Sequence, residues 1–78
     1  MADEPVSGYG EPAVLWRLRH RDGDEARATL IPGVPTSTLV YLVNDRFERG
    51  ENFEEWAPAV EQAERVKRQM MEDGWCEE

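Results

Sequence analysis

Val14, Trp16, Leu18 and His20 alternate with Leu15, Arg17, Arg19 and Arg21. This period of two sends one set of side chains to a buried sheet face and the other set to the opposite side. The run ends in Arg21-Asp22-Gly23-Asp24, and Asp-Gly is a strong hairpin turn because glycine takes positive φ at little steric cost. The chain is thereby committed to a β-hairpin. Its return strand is expected from Glu25 to Ile31, with Ala26, Ala28 and Leu30 on one face and Glu25, Arg27, Thr29 and Ile31 on the other. The alanines weaken this strand, since alanine is a poor strand former.

Pro32-Gly33-Val34-Pro35 then interrupts regular structure, because proline lacks an amide donor. Thr38 to Val43, dense in β-branched and aromatic residues, reads as a further strand. Asn44-Asp45 suits a two-residue turn with both positions in left-handed geometry, leading to a short return strand from Arg46 to Arg49. That turn length sets Leu42 opposite Phe47 and Val40 opposite Arg49. Val40, Leu42 and Phe47 then share one face, and Leu39, Tyr41, Val43, Arg46 and Glu48 the other; a longer loop would shift the register.

Asn52 and Glu55 have the spacing of an N-terminal capping box. Phe53, Trp56, Val60, Ala63, Val66 and Met70 follow as one apolar helical stripe. Pro58 disturbs the start of that stripe: either Phe53 to Ala57 is a separate turn and the main helix begins at Pro58, or one helix is kinked there. Glu61 with Arg65 and Glu64 with Arg68 are favourable pairs four apart. Gly74 is a natural helix stop, after which Trp75 either folds back onto the helix or stays exposed as an interface anchor. The expected architecture is α+β: a small antiparallel β-meander of three to four strands with a C-terminal α-helix packed on one face. Residues 1–12, with Pro5, Gly8, Gly10 and Pro12 among acids, read as a flexible N-terminal leader, and residues 13–78 as a single α+β domain.

Seventy-eight residues leave room for one thin core, because a chain of this size buries only about 60% of the surface its unfolded state exposes. Extra burial from self-association or a partner is therefore valuable, and an elaborate catalytic pocket has little interior to occupy. The single Cys76 excludes an internal disulfide and any multi-cysteine metal site. No run approaches the roughly 20 apolar residues needed to span a bilayer, and the first residues lack the pattern of a signal peptide. The expected location is cytoplasmic.

Net charge is -8, distributed unevenly. Residues 1–31 carry six acids against four bases, residues 51–78 nine against three, and the middle is neutral. Such a total disfavours duplex DNA and anionic membranes as general partners.

Nucleophilic catalysis would have to pair Cys76 with His20, the sole imidazole, and a cysteine among the last three residues lacks the positioned, electropositive setting that activates a thiol. Asp22, Asp24 and Glu25 fall short of the ligand count of a calcium loop and read as a solvated turn. Phosphate-binding glycine loops are absent. No catalytic residue, cofactor or metal is expected. The most informative constellation is Arg17, Arg19 and Arg27, on alternate positions of the first hairpin and opposite Val14, Trp16 and Leu18, with Tyr41 and Arg46 as additions from the second hairpin. A solvated sheet face is the plain interpretation. The functional one is a binding surface, with Trp75 as a secondary site. It points to a non-catalytic protein-interaction module that binds another protein or itself as a homodimer, with single-stranded nucleic acid as the alternative.

Overall fold

The computed structural model describes residues 11–78; the leader assigned to residues 1–12 lies outside them except for Glu11 and Pro12. Five strands, β1 (Ala13–His20), β2 (Glu25–Ile31), β3 (Ser37–Val43), β4 (Arg46–Phe53) and β5 (Trp75–Glu77), form one antiparallel sheet in the order β4-β3-β2-β1-β5. A single helix, α1 (Trp56–Glu72), carries the chain from one edge to the other and packs on one face. The α+β architecture is the expected one, with one strand more than the meander of three to four.

The core lies between helix and sheet. Trp16 and Leu18 of β1, Ala26, Ala28 and Leu30 of β2, and Leu39 and Tyr41 of β3 are buried against Ala59 and Ala63 of α1. Alanines on both sides of this contact let the helix approach the sheet closely, which explains why β2 tolerates two weak strand formers beneath it. The Trp16 indole N–H donates to the Ala63 carbonyl at 2.8 Å, so the largest core side chain also satisfies its one polar group.

Two irregularities decide which residues face which way. In β1 the register shifts between Val14 and Trp16, so Leu15 packs against the core while Val14 emerges on the other face, 43% exposed. The expected grouping of Val14 with Trp16 and Leu18 is corrected by this bulge, which adds one residue to the alternation. In the second hairpin, Asn44 (φ 53°) and Asp45 (φ 65°) form the left-handed two-residue turn, and Leu42 faces Phe47 as expected. A bulge at Glu48 then sets Tyr41 opposite Arg49 and Val40 opposite Gly50, correcting the pairing of Val40 with Arg49.

β4 continues to Phe53, so Asn52 does not cap the helix. It lies across from Thr38, whose hydroxyl donates to Asn52 Oδ1 at 2.9 Å. One helix follows from Trp56, and Pro58 occupies its third position, where the missing N–H is one of the first-turn donors that has no intrahelical acceptor. Helix α1 stops at Gly74 (φ 104°), with the Asp73 and Gly74 amides donating to Met70 and Met71 carbonyls. The reversal delivers β5 to the free edge of β1, pairing Trp75 with His20, Cys76 with Arg19 and Glu77 with Leu18. Lys67 bridges Glu64 and Glu77, tying helix to edge strand; hydrogen bonding to Glu77 is the main reason its pKa is raised.

Candidate interaction face

The helix covers one side of the sheet; the opposite side bears no element of the described chain. Cross-strand register orders that open face into rows. One row runs Val14, Thr29, Val40, Gly50 across four strands, and the next runs Arg17, Arg27, Leu42, Phe47. Below the first lie Ile31, Thr38 and Asn52. Phe47 leans over Gly50, where a Cβ would sit 3.4 Å from a Phe47 ring carbon. Val14, Val40 and the Phe47 ring therefore form an apolar band with Leu42 and Ile31 as flanks. Phe47 and Ile31 are 65% and 40% exposed.

Arginines occupy one corner of this face. Arg19 pairs with Glu25 across the hairpin and approaches Glu78 at 3.6 Å, while Arg27 pairs with Asp45 of the second turn. Arg17 stands directly opposite Arg27, a like-charge placement that costs stability on its own. Its carbonyl accepts from the Glu78 amide, which brings that carboxylate into the cluster. Arg17, Glu25, Arg27, Asp45 and Glu78 converge with Leu42 on a shallow depression of about 20 Å³. Three arginines against Glu25, Asp45 and Glu78 leave this corner neutral on a chain of net charge -8.

Of the residues singled out from sequence, Arg17, Arg19 and Arg27 share this face. Tyr41 and Arg46 do not. Tyr41 is 6% exposed in the core, 6.1 Å from Trp16 between ring centroids, with the Arg49 guanidinium over its ring at 5.0 Å. Arg46, opposite Val43, projects to the helix side. Burial, and next the Glu51 carboxylate, push the Tyr41 hydroxyl pKa up against the opposing pull of Arg49. Trp75 is half-buried, its ring set edge-on against His20 at 5.2 Å, so it folds back rather than standing free. Val14, Ile31 and Phe47 are not among the residues that the arginine alternation singles out, although turn length alone places Phe47 and Val40 on a common face.

His20 and Cys76 are set apart by strand alternation. His20 pairs with Trp75 on the helix side, whereas Cys76 pairs with Arg19 and shares the open face; imidazole and thiol thus point to opposite sides of the sheet. Two carboxylates of the first turn are also engaged, Asp24 with the Asn44 amide and Glu25 with Arg19, while the Asp22 backbone amide donates to His20 Nδ1. No group of three metal-ligating side chains occurs among the described residues, and no helix there is long and apolar enough to cross a membrane. Comparison with family models, characterised proteins and solved structures finds no match for this chain.

Proposed function

We propose that this chain is a small, non-catalytic protein-interaction module that binds a protein partner through the open sheet face. The observation that carries this reading is the uncovered apolar band of Val14, Val40 and Phe47, flanked by Ile31 and Leu42, beside a charge-balanced arginine corner. An antiparallel sheet commonly leaves one side wet, but then its outward positions alternate as polar residues; here Val14, Val40 and Phe47 stand outward on β1, β3 and β4, interrupted only by Thr29 on β2. Covering a large apolar side chain is worth about 1.5–3 kcal/mol when burial is complete, so several partly exposed ones amount to useful binding energy. The balanced corner supplies orientation more than affinity.

A single-stranded nucleic acid is the weaker reading. Its stacking platform would have used Tyr41, which is buried on the other side, and two of the three arginines already face carboxylates within the chain. A cytoplasmic site of action suits the exposed, unpaired thiol of Cys76.

Capture from the native host's lysate tests the module, comparing wild type with Arg17→Glu, Arg19→Glu and with Ile31→Asp, Phe47→Asp, at two salt concentrations and with nuclease treatment. The expected result is a protein recovered by wild type, lost in both variants and indifferent to nuclease. Equal recovery by all three baits would refute use of this face, and nuclease-sensitive recovery would favour nucleic acid.

A further inference from the structure

We infer that the occupant of the open sheet face is a second copy of this chain, the two sheets packing face to face about a two-fold axis. This rests on the interaction-module reading and narrows it to one partner.

The first argument is charge. The chain carries -8, yet Arg17, Arg19 and Arg27 are matched on the open face by Glu25, Asp45 and Glu78. A partner chosen for opposite charge would gain nothing at a neutral surface. A second copy brings the same equal set of both signs, and a two-fold, isologous contact lets arginines of one copy meet carboxylates of the other. The excess acid sits elsewhere, with Glu61, Glu64 and Glu72 on the helix and Asp73 at its C-terminal cap. The helix lies on the far side of the sheet from this contact, and at physiological salt exposed charges separated by more than about 8 Å are largely screened.

The second argument is area. Four strands spaced about 4.8 Å apart, each with about seven residues rising 3.3 Å, project to roughly 450 Å² per copy. Two copies remove on the order of 1,000 Å² from water, at the lower bound for a specific interface. An interface of that size is that of a reversible dimer rather than an obligate one. The apolar band crosses the middle of this area and the charges lie at a corner, the arrangement of an apolar centre with a polar rim.

Salt separates the two competing readings. It screens both the repulsion between two copies of net charge -8 and the contacts of arginines with carboxylates across the interface, so self-association through an apolar centre changes little with salt, whereas nucleic-acid binding weakens steeply.

Sedimentation equilibrium of the full chain from roughly 5 to 500 µM tests the inference. Wild type is expected to rise from 9.0 kDa towards twice that mass, at low and at high salt. Ile31→Asp with Phe47→Asp is expected to remain at 9.0 kDa with unchanged circular dichroism. Val60→Asp, on the exposed side of the helix, is expected to associate like wild type. Cys76 offers a test that needs no disruptive variant, because it is exposed and shares the open face. A nitroxide on Cys76, mixed with unlabelled isotope-enriched chain, is expected to broaden amide signals of Val14, Val40 and Phe47 in the other copy and to spare Val60. A wild-type mass fixed at 9.0 kDa, or broadening confined to the helix, would overturn the inference. If wild type stays monomeric while lysate capture still maps to the open face, the interaction module stands and the second copy is excluded.

Discussion

The Trp16 indole nitrogen donates to the Ala63 carbonyl at 2.8 Å across 47 positions of sequence, joining the middle of the first strand to the middle of α1. That carbonyl also belongs to the helical hydrogen-bond ladder, so it accepts the indole as a second donor. The bond fixes the helix along the sheet at the point where Ala59 and Ala63 are buried in the core.

Trp16→Phe keeps an aromatic ring and removes the donor. No buried donor is orphaned, since the Ala63 carbonyl retains its helical partner, so the bond itself is worth about 1 kcal/mol. The smaller ring adds a further loss from the space it vacates, for a total of roughly 2–3 kcal/mol. Urea unfolding of monomeric chain at low concentration checks this, with a lower midpoint and an unchanged slope expected.

Asn44 joins the two hairpin ends. Its side-chain oxygen accepts from the Glu25 amide at 3.0 Å, its amide group donates to Asp24 at 3.1 Å, and its backbone has φ 53°. Asn44→Gly retains the left-handed conformation and loses only the side-chain bonds, whereas Asn44→Ala loses both. The alanine variant is expected to be the less stable by roughly 1 kcal/mol, the cost of left-handed geometry for a residue with a Cβ. Thermal unfolding of the two variants side by side reads this difference, and equal stability would show that the turn relaxes.

Tyr41 and Lys67 both have raised pKa values in the folded chain, Tyr41 chiefly through burial and Lys67 chiefly through Glu77. Each group therefore holds its proton more firmly when folded. Their contribution to stability is complete below the ordinary values of 10.0 and 10.5, and is lost as pH rises through the higher folded values. Unfolding curves are expected to be insensitive to these groups at neutral pH and to weaken progressively above about pH 10. Tyr41→Phe removes the tyrosine part of that alkaline loss. It also removes a buried hydroxyl that has no hydrogen-bond partner among the described residues, so at pH 7 it is expected to be neutral or slightly stabilising. Thermal scans from pH 7 to 11 on both proteins decide the point.

Local chemistry made the two hairpins legible. Asp22-Gly23 and Asn44-Asp45 specify their turns from within four residues, and alternation then separates Arg17 and Arg19 from Trp16 and Leu18. Features that depend on distant contacts were not legible. Leu15 and Glu48 create bulges whose only trace in sequence is an extra residue in an alternating run, and each one reverses a face assignment. Arg46 lay in the set of residues sharing a face with Tyr41, as the structure has it, yet the arginine side of the first hairpin proved to be the other one. Which face of each hairpin joins which is decided by pairing between β2 and β3, a contact no local pattern encodes. Asn52 had the spacing of a helix cap, but pairing with Thr38 extended β4 through it. β5 is three residues long, too short for periodicity to register, and forms because Gly74 turns the chain back to an unpaired edge.

Thr29 occupies the centre of the open face between Val14 and Val40, 8% exposed, with its hydroxyl buried and unpartnered among the described residues. An unsatisfied buried hydroxyl costs about 1–3 kcal/mol relative to a satisfied one. Thr29→Val replaces it with a methyl group of similar size and better strand propensity. The variant is expected to unfold at a temperature higher by several degrees, since about 1 kcal/mol moves the midpoint of a domain this small by roughly 4–8 °C. It also makes the apolar band continuous from β1 to β3, so association through the open face is expected to strengthen. Calorimetry at low and high protein concentration separates the two effects, because only the second depends on concentration. A lower midpoint at high concentration alone would show that the Thr29 hydroxyl finds its partner across the interface.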